Sequence, residues 1–124
     1  MSAVTDKYRN TTTYDGVWAE LVRAAQYRGL TTYQDIAAIM ELPLTGSHMG
    51  AETGHLLGEI SEDEVRAGRP MLSAVAVNVS GKPGPGFYGL ARKLDRLATD
   101  VDDVTFWEQE RDAVYDEWRR RPSA

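Results

Sequence analysis

The sequence predicts one mainly α-helical domain with a small β element. Three observations support this fold class. Most apolar residues recur at the three- and four-residue steps of amphipathic helices, and only Leu72–Val79 is a continuous apolar and β-branched run typical of a buried strand. A chain of 124 residues with a 42% hydrophobic share suits a single core. We expect a loosely held lead-in over 1–13, the domain over 14–118 and a fraying tail over 119–124.

The first two predicted helices lie on either side of a short β-type stretch. The apolar face of the first helix is expected to consist of Trp18, Leu21, Val22, Ala25 and Tyr27. Asp15 is its expected N-cap and Gly29 its expected end. Thr32 then caps a second helix over Tyr33–Leu42. Pro43 ends that helix, because a proline pushes the preceding residue out of helical geometry.

The third predicted helix carries a row of glycines. It runs from Ser47 to Ile60 and is followed by a separate short helix that Ser61 caps and Gly68 ends. The glycines recur every four residues on one face: Gly50, Gly54 and Gly58. Each costs about 1 kcal/mol relative to alanine. The row therefore reflects either close packing against another helix or the close approach of a ligand or a nucleic-acid backbone.

The second half of the chain is predicted to be a strand, a Gly/Pro loop and two helices. The strand Leu72–Val79 has apolar residues on both faces, so we expect it to be covered on both sides. The loop Ser80–Gly86 leads into a helix that begins near Phe87. Asp103 or Thr105 caps the last helix. Its aromatic and apolar residues are interpreted as core or homodimer contacts: Phe106, Trp107, Val114, Tyr115 and Trp118.

The charge is unevenly distributed along the chain. The net charge of -5 argues against a protein that coats nucleic acid by charge alone. Between Arg66 and Arg96, however, six bases and one acid give +5, and between Leu97 and Trp118 eight acids and one base give -7. Either these two segments pair with each other, or the basic one forms an anion-binding surface.

Several kinds of chemistry are excluded by the residues present. With no cysteine there is no disulfide, thiolate zinc site or cysteine nucleophile, and the nucleophile-elbow and Walker patterns are absent. His48 and His55 lie seven residues apart with Glu52 between them, whereas helical metal ligands are usually three or four residues apart. We therefore expect no catalytic residue, metal or cofactor, and a protein that is not an enzyme.

The sequence also predicts that the chain does not contact a membrane. No segment approaches the roughly 20 consecutive apolar residues of a membrane helix. The amino terminus has no basic region followed by an apolar stretch. We expect a cytoplasmic protein.

One stretch resembles a known family. Leu30–Ala37 (LTTYQDIA), followed by a helix end, a turn and a second helix, resembles the DNA-binding half of alkylguanine-DNA alkyltransferases and alkyltransferase-like proteins. In that winged-helix domain, a threonine-threonine-tyrosine entry opens the first helix of the helix-turn-helix. Arg69–Ser73 stands where that family has its reactive cysteine, so alkyl transfer is excluded. A second similarity, to small uncharacterised bacterial and phage proteins, covers Gly68–Val77 and Pro83–Ala91. This similarity implies no activity.

The resemblance implies a winged helix-turn-helix-like domain that binds nucleic acid. Tyr33–Leu42 would support Ser47–Ile60 as the recognition helix, and the strand with its loop would be the wing. That recognition helix has two acids, Glu52 and Glu59, and no lysine or arginine, so phosphate contacts would come from bases elsewhere. The expected nucleic-acid or anion contacts are Tyr33, Ser47, His48, Thr53, His55, Arg66, Arg69, Lys82, Arg92 and Lys93.

Two other functions remain open. One is the binding of a phosphorylated small ligand, such as a nucleotide signal, framed by the Gly/Pro loop, Arg69 and Arg92. The other is a phage or bacterial protein-interaction adaptor or regulator that uses the acidic, aromatic helix Phe106–Trp118.

Overall fold

A computed structural model describes residues 3–120, which form five α-helices and a two-stranded parallel sheet. The elements in chain order are α1 (Thr12–Gln26), β1 (Thr31–Thr32), α2 (Tyr33–Ile39), α3 (Ser47–Arg66), a 3-10 turn (Leu72–Val75), β2 (Ala76–Val77), α4 (Pro85–Lys93) and α5 (Asp103–Trp118). In the sheet, Thr31 lies opposite Ala76 and Thr32 opposite Val77. The predicted mainly helical class with a small β element is confirmed.

The core is centred on the chain around the 3-10 turn. Met71–Val77 is buried throughout, and α1, α3 and α5 all pack against the turn. The predicted cover on both sides is thus confirmed, but the predicted strand over Leu72–Val79 is wrong in extent. Only Ala76–Val77 pairs, because β1 offers two residues as a partner. An apolar run that is buried all round also has no period that separates a strand from a helical turn.

Four helices end in the same way, with one residue in the left-handed conformation. These residues are Arg28, Glu41, Gly68 and Asp95. The next amide in each case bonds back to the preceding helix, as Leu42 N–H does to the Ala37 carbonyl at 2.9 Å in a Schellman motif. The α2 helix therefore ends at Ile39, before the end predicted from Pro43, because the chain already reverses at Glu41.

Side-chain caps fix the starts of three helices. Thr32 Oγ1 accepts the Asp35 amide at 3.1 Å, which confirms the predicted cap of α2. The α1 helix starts before the predicted cap Asp15, because Thr11 accepts the Tyr14 amide. The α5 cap is Asp102, which accepts the Thr105 amide at 3.1 Å, and not Asp103 or Thr105.

The α3 helix is continuous through Ser61, where a second helix was predicted to begin. Ser61 is fully buried, and its hydroxyl donates to Ser73 Oγ at 2.7 Å and accepts the Ser73 amide at 3.1 Å. Of the acids that follow, Glu64 accepts from Trp18 Nε1 at 3.1 Å and pairs with Arg69. Residues that resemble a cap and an acidic first turn thus make tertiary contacts instead. No helix within residues 3–120 is both long and apolar enough to cross a bilayer.

Residues 3–10, which we call the amino-terminal strap, lie along α3. Ala3 N–H donates to the buried Glu62 carboxylate at 2.5 Å. The Arg9 guanidinium bonds to Glu62 at 2.6 Å and to Asp63 at 3.1 Å. The strap therefore differs from the loosely held lead-in that was expected. The predicted tail is described only as far as Arg120, and residues 1–2 and 121–124 lie outside the described part.

Candidate functional site

A cleft of about 550 Å³ lies between α3 and the start of α4. We call it the α3–α4 cleft. One wall is the glycine row of α3, and the opposite wall is formed by Gly84–Phe87 and Leu90. Val4 of the strap lines the cleft next to Gly58. Among the described residues that line it, none has a charged side chain.

Packing against another helix does not explain the glycine row. A methyl group added at Gly50 or at Gly54 would meet no atom within 4 Å. At Gly58 it would lie 3.5 Å from Val4 and 3.9 Å from Leu90, which is ordinary contact. The helix-packing interpretation is therefore wrong for Gly50 and Gly54. These two glycines leave the α3 backbone open towards the cleft.

The Gly50→Ala and Gly54→Ala variants are each expected to raise the free energy of unfolding by about 1 kcal/mol, because alanine is the better helix former. The comparison is Gly81→Ala, which should lower it, because Gly81 has a φ of 84° and a side chain is strained there. Urea denaturation of the three variants measures both effects. A loss of stability in Gly54→Ala would assign the row a structural role.

Three neutral hydroxyl side chains line the cleft. The Tyr33 hydroxyl accepts the Gly84 amide at 2.6 Å. Burial raises the pKa of Tyr33, with the Gly84 hydrogen bond opposing the rise, so Tyr33 is a protonated donor at neutral pH. Thr53 is 2% exposed and donates to the Met49 carbonyl at 2.8 Å. Ser73 is 6% exposed, and its hydroxyl oxygen accepts a hydrogen bond from the Ser61 hydroxyl. Tyr33 and Thr53, two of the predicted contacts, therefore meet in one cleft.

The amino end of α3 is exposed and has no side-chain cap. Gly46, with a φ of 97°, occupies the N-cap position, and Ser47 and His48 follow it on the surface. The first four amides of a helix have no intrahelical acceptor. Together with the helix dipole, they make this end electropositive.

Glu52 lies in the second turn of α3, and the strap binds it. Lys7 Nζ lies 2.6 Å from its carboxylate, and the Tyr8 hydroxyl donates to the same group. The hydrogen bond from Lys7, followed by that from Tyr8, lowers the pKa of Glu52. Burial first, and then the bond to Glu52, raises the pKa of Tyr8 to about 12. The charge of Glu52 is thus balanced by a neighbouring ammonium.

The loop Asn78–Gly84 lies beside the same end of α3. Asn78 N–H donates to the Lys82 carbonyl at 2.8 Å, and Asn78 Oδ1 accepts the Ser80 amide at 2.9 Å. At the tip, Val79 is 87% exposed. Val79 and Asn78 share a small depression with Met49, which also lines the α3–α4 cleft. The loop, the amino end of α3 and the cleft therefore form one face.

Most bases of the predicted basic segment are already paired with acids. Arg69 pairs with Glu64 and lies over the Trp118 ring, 5.5 Å from its centroid. The other pairs are Arg92 with Asp103 at 2.7 Å, Arg96 with Glu110 at 2.6 Å, and Arg66 with Glu62 at 3.7 Å. Two of these four pairs join the basic segment to the acidic segment, and the other two join it to acids of α3. The structure thus favours pairing of these bases over an anion-binding surface. Within the described chain, Lys82 and Lys93 are the bases of this segment without an acidic partner.

The two histidines do not come together in a metal site. His55 Nε2 lies 2.8 Å from the Thr5 carbonyl of the strap and 3.9 Å from Glu59, so His55 is held against the strap. His48 is exposed in the first turn of α3. Residues 3–120 hold no cluster of three or more histidines and carboxylates that could bind a metal ion.

The aromatic residues of α5 are core contacts. Trp107 Nε1 donates to the Ala74 carbonyl at 2.9 Å, and the Tyr115 hydroxyl donates to the Gly29 carbonyl at 2.8 Å. Phe106 and Val114 are buried with them, and Trp118 is partly buried. An adaptor function that presents these side chains to a partner is therefore not supported.

The candidate site is the face that joins the amino end of α3, the Asn78–Gly84 loop and the α3–α4 cleft. Of the predicted contacts, it holds Tyr33, Ser47, His48, Thr53 and Lys82. Sequence reasoning missed the cleft itself, although the glycine row and the Gly/Pro loop that form its walls were the available signal. Protein-family models, curated proteins and solved structures give no significant match to this chain.

Proposed function

We propose that this chain is a non-enzymatic, winged helix-turn-helix-like protein that binds nucleic acid. In this proposal α2 and α3 are the helix-turn-helix, and the Asn78–Gly84 loop is the wing. The packing of α2 against α3 and the exposed loop beside α3 support it. The resemblance of Leu30–Ala37 to the DNA-binding half of alkyltransferases points in the same direction.

The observation that carries the proposal is the open amino end of α3. Its first amides have no side-chain cap, and they can bind a backbone phosphate, as helix amino ends commonly do in protein–DNA contacts. Ser47 and His48 supply polar side chains beside these amides.

The net charge of -5 is compatible with this proposal because the acids of α3 do not dominate the face. Glu59, Glu62 and Glu64 are buried, and Glu52 is bound by Lys7. Lys82 stands on the proposed wing with no acidic partner in the described chain. Few phosphate contacts are available, so the expected affinity is modest and sensitive to salt.

The Lys82→Gln variant should bind duplex DNA about fivefold more weakly at low salt, and its log-log salt slope should fall by about one. The reason is the loss of one phosphate contact from the wing. Fluorescence anisotropy with a labelled duplex, from about 50 mM salt upward, measures both quantities.

Arg23→Gln is the matched control, because it removes the same charge from α1, where Arg23 pairs with Glu20 at 2.8 Å. Its affinity should stay close to that of the wild type. Absence of binding at the lowest salt would refute the proposed function. Equal losses of affinity in Lys82→Gln and Arg23→Gln would show that the wing does not contact the DNA.

The side chains that were expected to frame a phosphorylated-ligand site do not support that alternative. Arg69 and Arg92, which were expected to frame that site, are paired with Glu64 and Asp103. Within residues 3–120, no charged side chain lines the α3–α4 cleft.

A further inference from the structure

We infer that the α3–α4 cleft binds an uncharged, largely apolar small molecule. This function is separate from the proposed nucleic-acid contact. It does not depend on whether the chain binds DNA.

The size of the cleft suits such a ligand. Small-molecule sites usually enclose about 300–1,000 Å³, and this cleft measures about 550 Å³. A methyl group fits at its wall, because at Gly50 and at Gly54 it would meet no atom of the described residues within 4 Å. Alanine at either position would also favour the helix. Glycine therefore leaves this wall of the cleft bare, although alanine would stabilise α3 more.

The chemistry of the lining defines the charge of the occupant. The apolar walls come from Leu57, Phe87, Leu90 and Val4, and no side chain of the described lining is charged. A phosphate, carboxylate or ammonium group would lose its hydration there without gaining an opposite charge, which is costly. The cleft thus favours a neutral ligand.

Two buried hydroxyl groups add polar specificity. Ser73 Oγ accepts a hydrogen bond from the Ser61 hydroxyl. The Ser73 hydroxyl itself donates to no acceptor within residues 3–120. Thr53 Oγ1 donates to the Met49 carbonyl and keeps a lone pair. Both side chains are more than nine-tenths buried and line the cleft. They fit an apolar ligand with one acceptor and one donor, as in apolar sites that use a few polar groups for orientation.

The test uses two probes that share their rings and differ by one charge, N-phenyl-1-naphthylamine and its 8-sulfonate. The neutral probe should show saturable fluorescence enhancement with one site per chain and bind about tenfold or more tightly than the anion. No saturable binding, or equal affinity for both probes, would overturn the inference. So would a signal that rises with chain self-association, which would indicate a second copy as the occupant.

Gly54→Leu should weaken the neutral probe about tenfold or more, because the leucine fills the cleft. Gly89→Leu is the control. It lies on α4, a methyl group there also meets no atom within 4 Å, and Gly89 does not line the cleft. Circular dichroism checks that both variants fold. Equal losses in the two variants, or unchanged binding by Gly54→Leu, would place the probe elsewhere and refute the assignment.

Discussion

Replacing Glu59 by alanine is expected to lower the free energy of unfolding by about 3 kcal/mol. Glu59 is 0% exposed, and its carboxylate accepts the amides of Lys7, Tyr8 and Arg9 at 2.8, 3.0 and 3.2 Å. A buried amide that loses its acceptor costs about 1–3 kcal/mol. Release of the strap lets these amides reach water, which limits the total. Urea denaturation measures the loss.

The local consequence distinguishes this mechanism from a general loss of packing. Hydrogen exchange at Lys7, Tyr8 and Arg9 should accelerate in Glu59→Ala more than exchange in α5, because the strap loses its acceptor. Glu108→Gln removes an exposed acid of α5 and should stay within about 0.5 kcal/mol of the wild type. A Glu59→Ala protein with wild-type stability and protected strap amides would show that Glu59 does not hold the strap.

Local patterns predicted the elements whose partners lie a few residues apart. Thr32 and Asp35 cap α2 by exchanging hydrogen bonds, at 3.1 and 3.3 Å, across three positions. Both partners of such a capping box lie within four consecutive residues, so the sequence alone shows it. The first turn of α2 was therefore predictable, as were the helical faces with regular spacing.

A similar capping pattern at Ser61 led to the wrong prediction of a new helix, because the hydrogen-bond partner of Ser61 is distant in the sequence. Ser61 resembles an N-cap, yet its hydroxyl bonds to Ser73, 12 positions along the chain. Glu59 is bound by strap amides about 50 positions away. Periodicity places an acid on a helix face, but it does not show whether amides will cover it. Buried carboxylates are uncommon, so exposure was the natural expectation.

The candidate site was predictable in its parts but not in its assembly. The glycine row and the Gly/Pro loop were both evident in the sequence. Only the tertiary structure brings Gly54 and Phe87 to opposite walls of one cleft. The charge pattern behaved similarly, since the pairing of Arg92 with Asp103 depends on how α4 meets the start of α5. The net charge of each segment allowed either mutual pairing or an anion-binding surface, and it did not decide between these two outcomes.

Replacing Glu110 by alanine should lower the free energy of unfolding by about 2–4 kcal/mol. Glu110 is 4% exposed. It accepts the Met71 amide at 3.0 Å and both Arg96 Nε and Nη2, at 2.9 and 2.6 Å. The substitution leaves a buried amide without an acceptor and a partly buried guanidinium without its counter-ion. Urea denaturation again provides the measurement.

A double-mutant cycle separates the two contributions. In Arg96→Met alone, Glu110 keeps the Met71 amide but stays charged and nearly buried without its guanidinium, which is costly. In Arg96→Met with Glu110→Gln, that charge is gone and the glutamine carbonyl still accepts from Met71. The single variants of this cycle are Arg96→Met and Glu110→Gln. The loss of stability in the double variant should therefore be smaller than the sum of the two single losses, by about 1–2 kcal/mol. Strictly additive losses would mean that Glu110 acts through the Met71 amide alone, and that its pairing with Arg96 contributes nothing to holding α5 against the core.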